Sequence, residues 1–186
     1  MLIILKNKDT LILDDFTFKC SVGENGINSK KKEGDKITPR GVFSLGKLYY
    51  RADREKKPVT QIPAKIIKKN MVWCDNPKSK YYNKETKINK NTKHEKLFRN
   101  SSSYNYLIVI NYNVEKIVPF KGSAIFIHLT EDYKKTAGCI ALKKKRFFNS
   151  IKTYRQKHKN KNYLVLSPKI LEPILKNVES YSAALR

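Results

Sequence analysis

The stretch Gly122-Ser123-Ala124-Ile125-Phe126-Ile127-His128-Leu129-Thr130, followed after a polar link by Thr136-Ala137-Gly138-Cys139-Ile140-Ala141-Leu142, decides how the chain is read. The first half is an apolar, β-branched run of strand length. Side chains alternate across a strand, so Ala124, Phe126 and His128 share one face, with His128 at the rim of a packed surface. In the second half, Ala137 and Gly138 are small enough to let a substrate approach the backbone beside Cys139. The link Thr130-Glu131-Asp132-Tyr133-Lys134-Lys135 leaves room for a strand end, a polar turn and a return into a second element.

A free thiol ionises near pH 8.5, so only a few per cent is thiolate at neutral pH, and a neighbouring imidazole raises its reactivity by taking the proton. The N–H groups of Gly138 and Cys139 are candidates for holding an oxyanion, usually the largest stabilising contribution in acyl transfer. The same residue types also fit a small buried structural cysteine and a hydrogen-bonded structural histidine. Residue types alone leave both readings open.

Working outward, Tyr104–Tyr112 carries Leu107, Ile108, Val109 and Ile110, a run expected for a central strand buried on both faces. Val114–Phe120 reads as a short edge strand. Upstream, Leu2–Leu5 and Thr10–Leu13 flank the turn-like Lys6-Asn7-Lys8-Asp9 and read as a β-hairpin, and Phe16, Phe18 and Cys20 alternate with polar residues as a third strand. Gly23–Gly41 reads as a loop and Val42–Tyr50 as a strand. Pro58 and Pro63 argue against a helix in Arg51–Lys69, and Met71–Cys74 is a short apolar run ended by Asp75-Asn76-Pro77. Lys78–Ser103 is polar and lysine-rich. Beyond Cys139, Phe147, Phe148, Ile151 and Tyr154 lie at helical spacing within Lys144–Lys157, Asn162–Leu166 reads as a last strand, and Ile170, Leu171, Ile174 and Leu175 suggest a short docked helix.

The chain has 186 residues, enough for one domain with a real core, and its composition is that of a globular protein. Its net charge is +24, from 40 Lys and Arg against 16 Asp and Glu, so polyanions are attracted to it. No recognition helix, zinc-ligand spacing or RNA platform accompanies that charge, so specific nucleic-acid binding is not expected. A polyanionic cell envelope is the alternative attractor. Three cysteines, Cys20, Cys74 and Cys139, show no paired spacing for zinc, and neither metal nor organic cofactor is expected. Cys20 and Cys74 fit either two buried free thiols or, in an oxidising compartment, a disulfide. The apolar run at Met1–Leu5 is too short for a signal h-region, and no stretch approaches the ~20 apolar residues of a membrane span.

The His128 and Thr136-Ala137-Gly138-Cys139-Ile140 segments together resemble the signature of the L,D-transpeptidase catalytic domain (YkuD-like) family, a histidine, a variable link and Ser/Thr-x-Gly-Cys-Ile/Val. Glu33-Gly34-Asp35-Lys36-Ile37-Thr38-Pro39-Arg40-Gly41, Trp73-Cys74-Asp75-Asn76-Pro77 and His94-Glu95-Lys96-Leu97 look similar to one branch of it. The resemblance implies a mainly β fold: a single YkuD-like β-sandwich or open-barrel domain over residues 1–176, with a helix after the catalytic cysteine and a frayed tail at 177–186. It implies Cys139 as nucleophile, His128 as base, and peptidoglycan tetrapeptide stems as substrate, with D-alanine released and a new amide formed. Thr136, Trp73 and Arg40 are the candidate substrate-binding residues, although Trp73 also suits a core and Arg40 a structural turn. Around His94 the similarity leaves a role in the cleft open. Many members carry an arginine two residues after the cysteine, where this chain has Ala141. Water in place of the acceptor amine would make an L,D-carboxypeptidase or endopeptidase, and an inactive basic binding module for wall polymer or nucleic acid is the rival outside the enzymes. A monomer in the periplasm or cell envelope is the expectation, with a cytoplasmic location left open by the missing signal peptide.

Overall fold

The computed structural model describes residues 2–13, 16–29, 32–88, 94–152 and 163–166. Three short N-terminal strands, β1 (Leu2–Leu5), β2 (Thr10–Leu13) and β3 (Phe16–Lys19), form an antiparallel meander. Two-residue strands β4 (Ile27–Asn28) and β5 (Thr38–Pro39) pair in parallel within the following loop. The long β6 (Gly41–Tyr50) is followed by β7 (Ala64–Ile66), β8 (Met71–Trp73), β9 (Glu85–Lys87) and β10 (Glu95–Lys96). After a 3₁₀ turn at Ser102–Tyr104 come β11 (Tyr106–Ile110), β12 (Phe126–Leu129), β13 (Ile140–Leu142), helix α1 (Lys144–Lys152) and β14 (Tyr163–Leu166).

The main sheet runs β13-β12-β11-β6-β14-β1-β2-β3, with β7 added alongside β6, and β10-β8-β9 form a second, smaller sheet. The fold is mainly β, with the helix following the cysteine strand as expected. Period-two alternation in the central strands feeds two separate cores. Leu48, Tyr50, Tyr106, Ile108, Ile110, Ile127, Leu129, Ile140 and Leu142 face one, completed by Leu5, Leu11, Phe18 and Phe147 of α1. Tyr49, Leu107, Val109 and Phe126 face the other, where Met71, Trp73, Leu97 and Tyr104 close over them. All five residues of β11 are therefore buried, as its unbroken apolar run predicts.

The structure corrects one expectation and decides two points that the sequence left open. Val114–Phe120 forms no strand: the Asn113 side chain accepts from Val118 N–H at 2.8 Å and donates to the Val118 and Gly122 carbonyls, folding the segment into a loop. The polar stretch Lys78–Ser103 does contain strands, since β9 and β10 add hydrogen-bonded edges to the apolar β8 without needing apolar residues of their own. Cys20 and Cys74 are both free and buried, so the disulfide option does not apply. Residues 153–157 of the expected helix, Tyr154 among them, and Ser167–Arg186 lie outside the described residues.

Candidate active site

Parallel pairing of β12 with β13 places the two residues singled out in the sequence. The register aligns Ile127 with Ile140 and His128 with Ala141, so Cys139, one position before β13, stands opposite Phe126. Phe126 and His128 share a face of β12, and Cys139 lies diagonally across from His128. Strand geometry puts the two Cα atoms roughly 8 Å apart, within reach of side chains that converge. Both residues line a cavity of about 640 Å³.

A parallel return forces the chain back along the whole length of β12, and the N-terminal region holds that return in place. Ser21 and Ala141 exchange backbone hydrogen bonds at 3.0 and 2.9 Å, Thr136 N–H donates to Val22 at 2.9 Å, and Glu24 N–H donates to Thr136 at 2.9 Å. Thr38, fully buried, accepts from Gly23 N–H and donates its hydroxyl to the Gly138 carbonyl, both at 2.8 Å. Gly138 has φ +134°, and a Cβ there would sit 2.9 Å from the Ile37 carbonyl oxygen, so only glycine fits this crossing.

The thiol is set between two backbone groups of the β12 approach. Phe126 N–H donates to Sγ and the thiol faces the Ala124 carbonyl, each at 3.4 Å. His128 is half-buried, and its Nδ1 lies 2.8 Å from the Leu129 carbonyl oxygen. A carbonyl only accepts, so Nδ1 carries the proton and Nε2 keeps its lone pair. Burial lowers the imidazole pKa to about 4, with the Leu129 bond opposing and the Arg99 charge adding to the shift, so the ring is neutral at pH 7.

Thr136 lines the cavity, but its hydroxyl is used within the turn, donating to the Cys139 carbonyl at 2.6 Å and accepting from Gly138 N–H at 3.1 Å. The Gly138 amide expected to face an oxyanion is thus engaged by Thr136. Trp73 packs in the second core, edge-on to Phe126 with ring centroids 5.2 Å apart, and its Nε1 donates to Asn83 at 2.8 Å; it does not line the cavity. Arg40 is exposed and also stands away from the lining, its backbone N–H donating to the Asn28 carbonyl at 2.8 Å. Both stand outside the cavity lining: Trp73 lies in the second core, and Arg40 lies between β5 and β6. His94 is likewise outside the lining, whereas its neighbour Glu95 is within it.

The chain belongs to the L,D-transpeptidase catalytic domain family. The YkuD family model, described as the L,D-transpeptidase catalytic domain, matches residues 2–161. None of the curated proteins compared with the chain matches it. Enzymes of the YkuD family are cysteine-dependent L,D-transpeptidases that act on peptidoglycan peptides, typically at the cell envelope.

For this L,D-transpeptidase-family domain, sequence reasoning missed part of the wall. Glu33, Asp75, Glu95, Glu131 and Asp132 line the cavity beside Arg99, Lys134 and Lys135, so acidic side chains gather there in a strongly basic protein. Tyr104 also lines it, with its ring 5.3 Å from the His128 ring and its hydroxyl donating to Glu95. Burial raises the pKa of both Glu95 and Tyr104. Glu33, Asp75 and Glu95 lie in the family-like strings, whereas no sequence signal assigned Glu131, Asp132 or Tyr104 to the wall. Among the described residues, no group of three or more His, Cys, Asp or Glu side chains is placed to hold a metal ion, and no helix is long and apolar enough to cross a membrane.

Proposed function

We propose that this protein is a cysteine L,D-transpeptidase working at the cell envelope on the tetrapeptide stems of peptidoglycan. The observation that carries this reading is the presence of His128 and Cys139 on one cavity wall, diagonal across a parallel strand pair, with Nδ1 of His128 committed to the Leu129 carbonyl. That commitment leaves Nε2 as the acceptor a thiol needs.

In the first half-reaction the Cys139 thiol gives its proton to Nε2 as sulfur attacks the carbonyl carbon before the terminal D-alanine. A C–S bond forms, the C–N bond breaks, and the imidazolium returns the proton to the departing amine. In the second half, an amine of another stem attacks the thioester, its proton passes through His128 to the leaving thiolate, and a new C–N bond replaces C–S. The Cys139 N–H serves the oxyanion, joined by Gly138 N–H when that amide exchanges its Thr136 bond for the charged oxygen.

Mass spectrometry of tetrapeptide muropeptides incubated with wild type and with Cys139→Ala tests the reading. Loss of terminal D-alanine together with stem-to-stem dimers, in the wild type alone, is the expected result. Tripeptides without dimers would replace transpeptidation by hydrolysis, and equal turnover by Cys139→Ala would remove the assigned nucleophile.

A further inference from the structure

An arginine enters the cavity from the second sheet. Arg99 follows β10, and its guanidinium is fixed on three sides: Nε donates to the Lys96 carbonyl at 2.9 Å, Nη2 donates to the Glu95 carboxylate at 3.0 Å, and Cζ lies 3.9 Å over the Tyr104 ring centroid. Its backbone carbonyl accepts from the buried Arg51 guanidinium. Tyr104 stands against His128, and Arg99 and His128 line the same cavity. Among the described residues Nη1 donates to no protein group, and the Arg99 side chain is 37% exposed. One edge of the fork is committed and the other is available.

Strand β13 supplies no cation of this kind. Ala141, at the position where many relatives carry arginine, is buried and aligned with His128. Lys134 lines the cavity too, but it is paired with Asp132 at 2.7 Å and its side chain is 86% exposed, so it lacks a fixed direction. Two carboxylates of the wall, which would repel an anion, are each held by two donors: Glu33 by Tyr82 and Ser123, Glu95 by Tyr104 and Arg99.

We propose that Arg99 binds the α-carboxylate of the residue that leaves, so that the site selects stems ending in a free carboxylate immediately beyond the scissile bond. This rests on the acyl-transfer reading above. His128 returns its proton to the departing nitrogen, and the carboxyl carbon of an α-amino acid is two bonds from that nitrogen. The carboxylate therefore has to lie on the His128 side, where the Arg99–Tyr104 stack stands. Nη1 donates one N–H to a carboxylate oxygen, a directional, charge-assisted bond, while its second N–H diverges from that oxygen.

The test uses a tetrapeptide stem with a free C-terminal carboxylate and the same peptide as its C-terminal carboxamide. Wild type should favour the acid in kcat/KM by about 10- to 100-fold, the worth of a hydrogen bond to a charged group. Arg99→Ala should lose that factor on the acid alone, bringing the preference close to one, and Arg99→Lys should restore part of it. An Arg99→Ala protein that keeps the wild-type preference, or loses rate equally on both peptides, overturns the proposal. Binding of the two peptides to Cys139→Ala, with and without Arg99→Ala, separates this site from the reaction. Acid-selective binding that Arg99→Ala abolishes supports the carboxylate site even if wild type turns over neither peptide, an outcome that would sink only the transpeptidase reading. Equal binding of acid and amide by Cys139→Ala overturns the site.

Discussion

The imidazole Nδ1 of His128 lies 2.8 Å from the carbonyl oxygen of Leu129, the next residue in the same strand. This contact fixes the tautomer from within the backbone, so no second side chain is needed to orient the ring.

The pH dependence of stability follows from the neutral, partly buried ring. Its folded pKa of about 4 lies below the value near 6.5 of an unfolded chain, so between these pH values the unfolded state binds more protons. His128 therefore contributes stability that is fully present above pH ~6.5 and is lost as pH falls towards 4, at most about 3 kcal/mol. Urea denaturation of wild type and His128→Asn between pH 4 and 7 should show the wild type losing more stability on acidification. Parallel curves would show that folding leaves the imidazole pKa unshifted. Turnover should likewise persist below pH 6 in the wild type, its acid limb falling near pH 4.

Thr38 connects the N-terminal loop to the cysteine turn through a single buried hydroxyl. Thr38→Val keeps the shape but leaves Gly23 N–H and the Gly138 carbonyl without that partner. The expected cost is about 1–3 kcal/mol in urea denaturation. A larger fractional loss in turnover than in folded protein should accompany it, because the turn it anchors carries Cys139. Unchanged stability and turnover would mean that the backbone pairings at Ser21 and Thr136 hold the turn by themselves.

Asn83 is buried with φ +54°, and its side chain joins three segments. Its Oδ1 accepts from Trp73 Nε1 at 2.8 Å and from Ala124 N–H at 3.1 Å, and its Nδ2 donates to the Tyr112 and Asn113 carbonyls at 3.0 and 2.7 Å. Asn83→Ala should cost about 3 kcal/mol, since several buried groups lose partners at once and the left-handed backbone loses a residue suited to it. A fall in the thermal midpoint of under a degree would contradict that role.

Cys20 and Cys139 should separate by reactivity. Burial, with the Asp9 carboxylate adding to it, pushes the Cys20 pKa up to about 12, so Cys20 stays a thiol at pH 8. Cys139 lines the cavity and receives the Phe126 N–H. Iodoacetamide at pH 8, followed by peptide mapping of the native protein, should modify Cys139 well ahead of Cys20. Equal labelling would indicate that the cavity does not expose the sulfur. After His128→Ala, Cys139 labelling should slow.

Local pattern was enough for much of the framework. Short apolar runs on either side of a turn-like set specify the first hairpin, and the unbroken apolar run at Leu107–Ile110 specifies a strand buried on both faces. The spacing of Phe147 and Phe148 specifies the helix after Cys139. His128 and Cys139 were legible because their chemistry lies close together in the chain and matches a family signature.

Only the tertiary structure decided how those pieces form a site. The parallel sense of β12 and β13, which sets His128 diagonal to Cys139, depends on pairing the return loop with Ser21–Glu24, a contact over more than a hundred positions. The Arg99–Tyr104–His128 stack arises where a polar strand edge docks on the second core, and polar residues carry no periodic signal of what they will touch. The Leu129 carbonyl leaves no trace at all, because every residue has one. Sequence therefore singled out the candidate residues His128 and Cys139 and many of the segments that form strands and a helix, since propensity and alternation act between near neighbours. Folding decided direction and partnership, because these depend on packing and hydrogen bonds between segments remote in the chain.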